Sequence, residues 1–199
     1  MPTPTTRARP LRPDERRADI IAAVTPLLIE HGGAVTSRQL ADAAGVAEGT
    51  VFRAFGDKDS LIRAALDAHR DPALLWSELD GIDAERDAAT AITRILALLT
   101  DRLSVIVPLS IAVHRISPAP DEAERERHHD QLQQRSRELT EHIAGVLQPH
   151  ASSLAASPEV VAGYLRMVAT AAAMPHLHPG DDTSVGEIAA LVLDGVVRR

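Results

Sequence analysis

The stretch TSRQLADAAGVAEGTVFRAF, residues 36–55, decides the fold that this sequence predicts. Thr36 and Ser37 are residue types that cap the start of a helix, and apolar residues then recur at spacings of three and four. Gly45 marks a tight turn, after which a second short helix is expected over about Ala47–Phe55. Two short helices joined in this way form a helix-turn-helix, which places its second helix in the major groove of DNA.

The second helix has one apolar face and one face of unusual composition. At about 100° per residue, Val51 and Phe55 lie within about 40° of each other, so we expect both to pack inward. Their predicted neighbours on the first helix are Leu40 and Ala43. A helix in the major groove needs small residues near the DNA backbone, with hydroxyl or guanidinium groups for phosphates and base edges. The opposite face offers such groups: Gly49, Thr50, Phe52 and Arg53.

Outward from this motif, the apolar spacing predicts helices and no strands, so the fold class is all-α. We expect a compact N-terminal trio of helices, a fourth helix that Pro72 ends, and a five-helix bundle. The helices expected outside the motif run over about 14–30, 57–71, 88–103, 105–116, 121–148, 157–174 and 184–197. The predicted organisation is a flexible Arg/Pro-rich arm over 1–13, a helix-turn-helix domain over 14–70, a connector over 71–82 and a helical domain over 83–199.

The charge of the chain is unevenly distributed. The net charge is −7, but residues 1–70 hold 10 basic and 9 acidic residues, so the negative charge lies in the remainder. A basic leading edge suits a chain whose first part meets phosphate, although an ordinary solvated surface explains the same charges. The arginines of residues 7–17 either follow the DNA backbone or minor groove, or belong to a disordered solubilising tail.

The composition argues against several other classes of protein and of site. The chain has no cysteine, which excludes disulfides, thiolate nucleophiles and cysteine metal sites. The start, MPTPTTRARPLRP, lacks the apolar segment of a signal peptide. Pro108 and Ser110 interrupt the apolar stretch Val105–Val113, which is far shorter than the ~20 residues that span a bilayer. We therefore expect a soluble cytoplasmic protein without a membrane partner.

The longer stretch TSRQLADAAGVAEGTVFRAFGDKDSLIRAAL resembles the N-terminal DNA-binding segment of the TetR family of bacterial transcriptional regulators. The shared features are the Thr/Ser cap, AxxxG at the turn, the GT pair, an aromatic two residues later, and Phe55 followed by Lys58 and Leu61. The resemblance covers about residues 14–66 in detail. It implies a homodimer that binds a double-stranded DNA operator and responds to a small-molecule effector.

The resemblance also implies which residues meet DNA. The residues expected to contact phosphate are Thr36, Ser37, Thr50 and Lys58. Arg38 would contact a base edge or a phosphate, and the residues that would enter the groove are Ala47, Glu48 and Gly49. Phe52 stands where the family usually has tyrosine, so its contact would be apolar, and Arg53 replaces a more usual residue and would take over a phosphate contact. Glu48 either accepts a hydrogen bond from cytosine or only places a favourable charge at a helix N-terminus.

We also expect two functional sets of residues in the connector and in residues 83–199, namely a dimer interface and a ligand pocket. The dimer interface is expected on the last two helices, and the alternative is that the same residues form an intrachain core. The interface candidates are Val160, Val161, Tyr164, Leu165, Val168, Ile188, Leu191, Val192 and Val196. A ligand pocket between helices has the following candidate residues, each of which is also an ordinary core or surface residue: Trp76, Leu96, Leu99, Leu103, His114, Met167, Met174 and His176.

An enzyme is the competing class. A di-metal helical bundle needs two Glu-x-x-His motifs, and the sequence has one, at Glu126–His129 on a strongly polar stretch. Glu138 and His142 are spaced by four, and His176-Leu177-His178 lies in an expected loop. We therefore predict no catalytic residue, metal or cofactor. The predicted function is a ligand-released repressor, with an activator of the same fold or a helical interaction protein as alternatives.

Overall fold

The computed structural model describes residues 12–82, 87–117, 121–174 and 184–197, and these ranges are helical apart from short connections and one isolated bridge between Leu154 and Val197. This confirms the all-α prediction. The helices are α1 (Pro13–His31), α2 (Ser37–Ala43), α3 (Glu48–Phe55), α4 (Lys58–His69), α5 (Pro72–Asp80), α6 (Ala88–Ile116), α7 (Glu122–Leu147), α8 (Pro158–Ala172) and α9 (Val185–Val196). Short 3-10 turns cover Gly32–Ala34 and Gln148–Ser153.

The chain forms two compact units. The N-terminal unit contains α1 to α4 up to Ala68, together with Pro108–Ile116 at the end of α6. Its core is built from one face of each helix, because apolar residues at helical spacing gather on one side. The fully buried residues of this core are Ile20, Val24, Leu28, Leu40, Leu61, Ile62, Ala65 and Leu109.

The C-terminal unit contains His69–Val107 and residues 117–199. Its described core joins α5, the first part of α6, the end of α7, α8 and α9. Ser157 and Ser184 cap α8 and α9, since their side chains accept hydrogen bonds from the backbone N–H groups of Val160 and Glu187. The largest fully buried side chains of this unit are Leu79, Ile92, Ile95, Leu96, Ile143 and Leu147.

The prediction that residues 71–82 form a connector is wrong. The fourth helix ends at His69, before Pro72 as predicted, but Pro72 then begins α5, because proline suits the first turn of a helix and Asp71 caps the start by accepting from Ala73 N–H. Leu75 and Leu79 of α5 then pack into the core of the C-terminal unit. This segment is therefore part of that unit.

The predicted break between helices at 88–103 and 105–116 is also wrong, because α6 continues through Pro108. A proline inside a helix removes one backbone hydrogen bond, and packing on both sides outweighs that loss. Leu99 is buried before the proline, and Leu109 and Ala112 are buried after it. At 29 residues, α6 is long and apolar enough to cross a bilayer by length and composition alone, a test that core helices of soluble proteins also pass.

Three predicted segments lie outside the described residues. The arm at residues 1–11 and the loops at 118–120 and 175–183, including His176 and His178, lie outside the described ranges. On α7, Ile143 and Leu147 are buried near its C-terminal end, whereas Leu132 is exposed. The polar first half of α7 therefore presents Leu132 to the surface.

Candidate nucleic-acid interface

The helix-turn-helix is fixed by a capping box and a glycine turn. Thr36 Oγ1 accepts from Gln39 N–H at 3.2 Å, and Thr36 N–H donates to Gln39 Oε1 at 2.9 Å. At the other end of α2, Gly45 adopts a φ of +64°, in the left-handed region that glycine enters without steric cost. Gly45 N–H donates to Asp42 O at 3.1 Å, and the chain then enters α3.

One face of α3 anchors the helix in the protein. Val51 and Phe55 are buried, as the helical wheel predicts, and Leu40 of α2 is fully buried. The expected inward position of Ala43 is wrong: Ala43 is exposed and Ala41 is buried instead. Because α2 has only seven residues, a small error in its predicted rotation exchanges these two alanines.

The opposite face of α3 points to solvent. Glu48, Gly49 and Arg53 are exposed, and the Phe52 side chain retains 42% of its accessible surface. A Cβ atom built on Gly49 would meet nothing within 4 Å, so the protein's own packing does not require glycine at this position. The face thus combines a bare backbone, an exposed aromatic ring and a guanidinium group, which suits contact with DNA phosphates and base edges.

Five of the remaining predicted contact residues lie at or beside the first turns of α2 and α3. Thr36 is exposed and Ser37 half-buried at the first turn of α2, and Arg38 next to them is exposed. Ala47 is exposed at the N-cap of α3, and Thr50 is half-buried, with its N–H donating to Ala47 O at 2.8 Å. Backbone N–H groups at helix N-termini favour anions, so these positions are compatible with phosphate contact.

Lys58 has a structural role that the sequence did not indicate. Its Nζ donates to Gly33 O at 2.9 Å and to Val35 O at 3.2 Å, so it ties the start of α4 to the segment between α1 and α2. Two of the three ammonium donors are thereby used. Beside it, Asp57 accepts from Ser60 N–H at 2.6 Å, and this hydrogen bond lowers the pKa of the Asp57 carboxyl.

Arg17 of α1 is a second residue that sequence reasoning did not single out for α3. Its guanidinium donates to Ala54 O and lies over the Phe55 ring. These contacts hold the C-terminal end of α3, where backbone carbonyls lack helical partners. Arg17 is 37 residues from Ala54, so no local spacing rule could have found the pair.

In the C-terminal unit, a cavity of about 360 Å³ opens between α5, α6, α7 and α8. Of the predicted pocket residues, Trp76, Leu99 and Leu103 line it. Leu96 and His114 do not line it: Leu96 is fully buried in the core, and His114 is exposed and belongs to the N-terminal unit.

Met167 and Met174 line a second, shallower depression on α8 rather than this cavity. This assignment differs from the prediction, which placed both methionines in the ligand pocket. His176 lies outside the described residues.

The residues expected at a dimer interface divide into two groups. Val161, Leu165, Val192 and Val196 are buried within the chain's own core, which favours the intrachain alternative for these four residues. Val168 and Ile188 are half-buried. The exposed apolar residues on α8 and α9 are Val160, Tyr164, Met167 and Leu191, and Leu191 is 74% exposed.

The histidines and glutamates considered for a metal site are dispersed. Glu126, His128 and His129 are exposed on α7. His142 instead contacts Asp80, with Nε2 and Oδ1 2.9 Å apart, and its ring packs 4.6 Å from that of Trp76. Within the described ranges, no three His, Asp or Glu side chains gather as candidate metal ligands.

Known proteins share both the motif and the fold. Residues 20–65, from α1 to α4, match the family described as bacterial regulatory proteins, tetR family. A TetR-family transcriptional regulator from Agrobacterium tumefaciens is 15% identical, with 94% of this chain and 100% of that chain covered and a TM-score of 0.62. A regulator of the same family from Streptomyces coelicolor is 21% identical, with 91% and 98% covered and a TM-score of 0.58.

A third solved structure has a named role. It is NalD of Pseudomonas aeruginosa, the secondary repressor of the MexAB-OprM multidrug efflux pump, at 18% identity, with 94% and 99% covered and a TM-score of 0.51. At such identities the structures establish a common fold, and the match over residues 20–65 establishes the DNA-binding motif. Residues 20–65 of the chain thus match the tetR family of bacterial regulatory proteins, with the helix-turn-helix of that match in α2 and α3.

Proposed function

We propose that the chain is a cytoplasmic, homodimeric repressor that binds a palindromic DNA operator and leaves it when a small molecule binds. The observation that carries the DNA-binding part is the divided surface of α3: Val51 and Phe55 anchor one face, while Gly49 and Arg53 are exposed on the other. A merely solvated helix gains nothing from an exposed glycine, which costs about 1 kcal/mol relative to alanine.

The contacts we propose follow the positions of the side chains. Gly49 lets the α3 backbone approach the groove, Phe52 packs on a thymine methyl group, and Arg53 binds a phosphate. Lys58 has one remaining donor for phosphate beyond its two backbone bonds. The full proposed set is Thr36, Ser37, Arg38, Ala47, Glu48, Gly49, Thr50, Phe52, Arg53 and Lys58.

The proposed dimer uses the exposed apolar residues of α8 and α9. Val160, Tyr164 and Met167 are spaced by four and three along α8, so they lie on one helix face. Leu191 is the corresponding exposed residue of α9. A short helix-turn-helix buries little surface on DNA, and dimers that bind two half-sites about one helical turn or more apart overcome that weakness.

The proposed effector site is the cavity of the C-terminal unit. Its volume of about 360 Å³ falls in the range of small-molecule sites, and apolar side chains such as Leu99 and Leu103 line it. A ligand that binds one spacing of the two recognition helices better than another shifts the dimer away from the operator-binding form. The similar NalD is a repressor, and we extend that role to this chain as a proposal.

The test begins with selection of binding sites from random double-stranded DNA. We expect an inverted repeat, and we expect Arg38→Ala and Arg53→Ala to remove sequence-specific binding while the dimer stays intact. Arg137→Ala, which changes an exposed arginine of α7, is the matched control and should bind as the wild type does. Unchanged binding by both Arg38→Ala and Arg53→Ala would show that the assigned DNA face is wrong.

The same selection decides the role of Glu48. If Glu48 accepts from cytosine, Glu48→Ala changes the preferred base at one position of each half-site. If it only complements the N-terminus of α3, the preferred sequence is unchanged and the protein is less stable. A reporter gene downstream of the selected site then separates repression from activation, because an activator would raise expression where a repressor lowers it.

A further inference from the structure

The cavity of the C-terminal unit contains a half-buried cation. Arg166 of α8 projects to α7, where its Nη1 donates to Thr140 Oγ1 at 2.5 Å and its Nη2 donates to Ser136 Oγ at 2.6 Å. Thr140 uses its own proton on Ser136 O at 2.9 Å, so its oxygen is free to accept from the arginine. The two hydroxyls fix the guanidinium group at the wall of the cavity, which Arg166 and Ser136 both line.

The charge of Arg166 is not neutralised by the described part of the protein. Both hydrogen-bond partners are neutral hydroxyls, and no carboxylate of the described ranges lies within ion-pair distance. A guanidinium has five N–H donors, and in the same ranges only these two bonds satisfy it. Burial lowers the pKa of Arg166, with no carboxylate to oppose that effect, yet arginine remains charged at neutral pH.

Arg102 of α6, which also lines the cavity, differs from Arg166 in its electrostatic surroundings. Its guanidinium donates to Asp71 O, and the nearby carboxylates of Glu78 and Asp71 oppose the lowering of its pKa by burial. Carboxylates of the chain itself thus partly offset the burial of Arg102, whereas none does so for Arg166. A partly buried cation without such a balance is costly, and an anion that enters the cavity removes that cost.

The remaining walls are apolar or positively charged. Around the cavity there are four arginines, namely Arg70, Arg102, Arg135 and Arg166, and one acidic residue, Glu138, which accepts from Gln134 Nε2 at 2.9 Å. Ser136 and Thr170 add hydroxyl groups, and apolar surfaces form the rest of the lining: Pro72, Leu75, Trp76, Leu99, Leu103, Ile106, Leu132 and Leu139. This combination is complementary to a molecule with an apolar body and one anionic end.

We infer that this cavity binds an amphipathic organic anion, whose carboxylate or other oxyanion group pairs with Arg166 and whose apolar body lies along α5 and α6. The inference rests on the proposed function, in which the same cavity holds the effector, and adds the chemical class of that effector. A guanidinium held in place by two hydroxyls presents its free N–H groups in the planar arrangement that oxyanions bind.

The chain contains a built-in reporter for this test. Trp76 is the only tryptophan of the chain and it lines the cavity, so its fluorescence reports occupancy directly. The probes are octanoate, octan-1-ol and octylammonium, which share an alkyl chain and differ in charge. At pH 7.5 we expect the wild-type dimer to bind octanoate at least ten times more tightly than octanol, and octylammonium more weakly than either.

Variants then locate the anion. Arg166→Gln should weaken octanoate binding about tenfold or more and leave octanol binding within about twofold, whereas Arg166→Lys should lie between. Arg94→Gln, which removes an exposed arginine of α6 outside the cavity lining, is the control and should not change octanoate binding. If Arg166→Gln does not fold, the inference is still tested by the order of the wild-type affinities for the three probes and by the affinity of Arg166→Lys for octanoate.

Several results would overturn the inference. Equal affinities for octanoate and octanol, or an equal loss in Arg94→Gln, would show that Arg166 does not select an anion. Dissociation of the dimer in Arg166→Gln, with octanoate and octanol equal, would show that a carboxylate of the second copy neutralises Arg166 instead. Operator binding is measured in parallel. If octanoate binds and the affinity for the operator is unchanged, the proposed ligand class is supported, but the proposal that the ligand releases the protein from DNA is wrong.

Discussion

The Arg17 guanidinium lies over the ring of Phe55, with its central carbon 4.4 Å from the ring centroid. The same group donates to Ala54 O, so one side chain of α1 holds both the last aromatic residue and a terminal carbonyl of α3. Phe55 is one of the two buried residues, with Val51, that anchor α3 in the core. The orientation of the DNA-binding face therefore depends on a residue that itself lies on another helix.

Replacing Arg17 should reduce stability. Arg17→Leu removes the cation–π contact and leaves Ala54 O without this donor, and we expect the free energy of unfolding to fall by about 1 kcal/mol. Urea denaturation followed by circular dichroism measures the change. Arg16→Leu removes the neighbouring exposed arginine and serves as the control. Equal stability of the Arg16 and Arg17 variants would mean that the contact with Phe55 contributes nothing.

Lowering the pH should reduce the folding stability of the protein, partly through protonation of Asp57. Its folded pKa is lowered mainly by the hydrogen bond from Ser60 N–H, so this carboxyl stabilises the fold above its unfolded pKa of about 4. That contribution is lost as the pH falls through the folded value. Asp57→Asn keeps an acceptor for Ser60 and no longer titrates, so stability between about pH 5 and pH 2 should fall less steeply than in the wild type.

The control for this prediction is Asp67→Asn. Asp67 is an exposed carboxylate on the same helix, α4, and accepts no hydrogen bond in the described part of the chain. Urea denaturation at several pH values compares the two variants. A pH profile of Asp57→Asn that coincides with that of the wild type would remove Asp57 from the account of acid sensitivity.

The exposed apolar surface of α8 and α9 should hold the dimer together. Leu191→Asp places a charge at a residue that is 74% exposed, so we expect a monomer by sedimentation velocity with little change in its helix content. Leu74→Asp is the matched control, since Leu74 is exposed on α5. Persistence of the Leu191→Asp dimer at micromolar concentration would place the interface elsewhere.

Local features of the sequence account for the parts of the fold that were predicted well. Thr36 with Gln39 forms a capping box, and Gly45 takes a positive φ, so chemistry within a few residues determines the helix-turn-helix. The same reasoning applies to Ser157 and Ser184, which cap α8 and α9 as residue type and position indicate.

Features that depend on distant parts of the chain were not predictable in this way. Val160 is exposed and Val161 buried, although both are valines on one helix that is apolar on most sides. Similarly, Lys58 reaches carbonyls 23 and 25 residues earlier in the chain. Which side of an apolar helix packs inward, and which carbonyls a lysine reaches, is decided by tertiary packing that spacing does not encode.

The most direct test of the DNA-binding account is the substitution Gly49→Ala. A Cβ atom at this position meets nothing within 4 Å in the free protein, and alanine favours helix, so stability should stay equal or rise by up to about 1 kcal/mol. In the proposed complex with DNA, the same methyl group would stand where the α3 backbone approaches the groove. Gly145→Ala on α7, where a Cβ atom also meets nothing within 4 Å, is the matched control.

The decisive measurement is the affinity of both variants for the selected operator, taken together with their stability. The account predicts that Gly49→Ala binds the operator at least ten times more weakly than the wild type, while Gly145→Ala binds it equally well, and that neither variant is destabilised. Wild-type operator affinity in Gly49→Ala would contradict the central claim that the exposed face of α3 enters the groove.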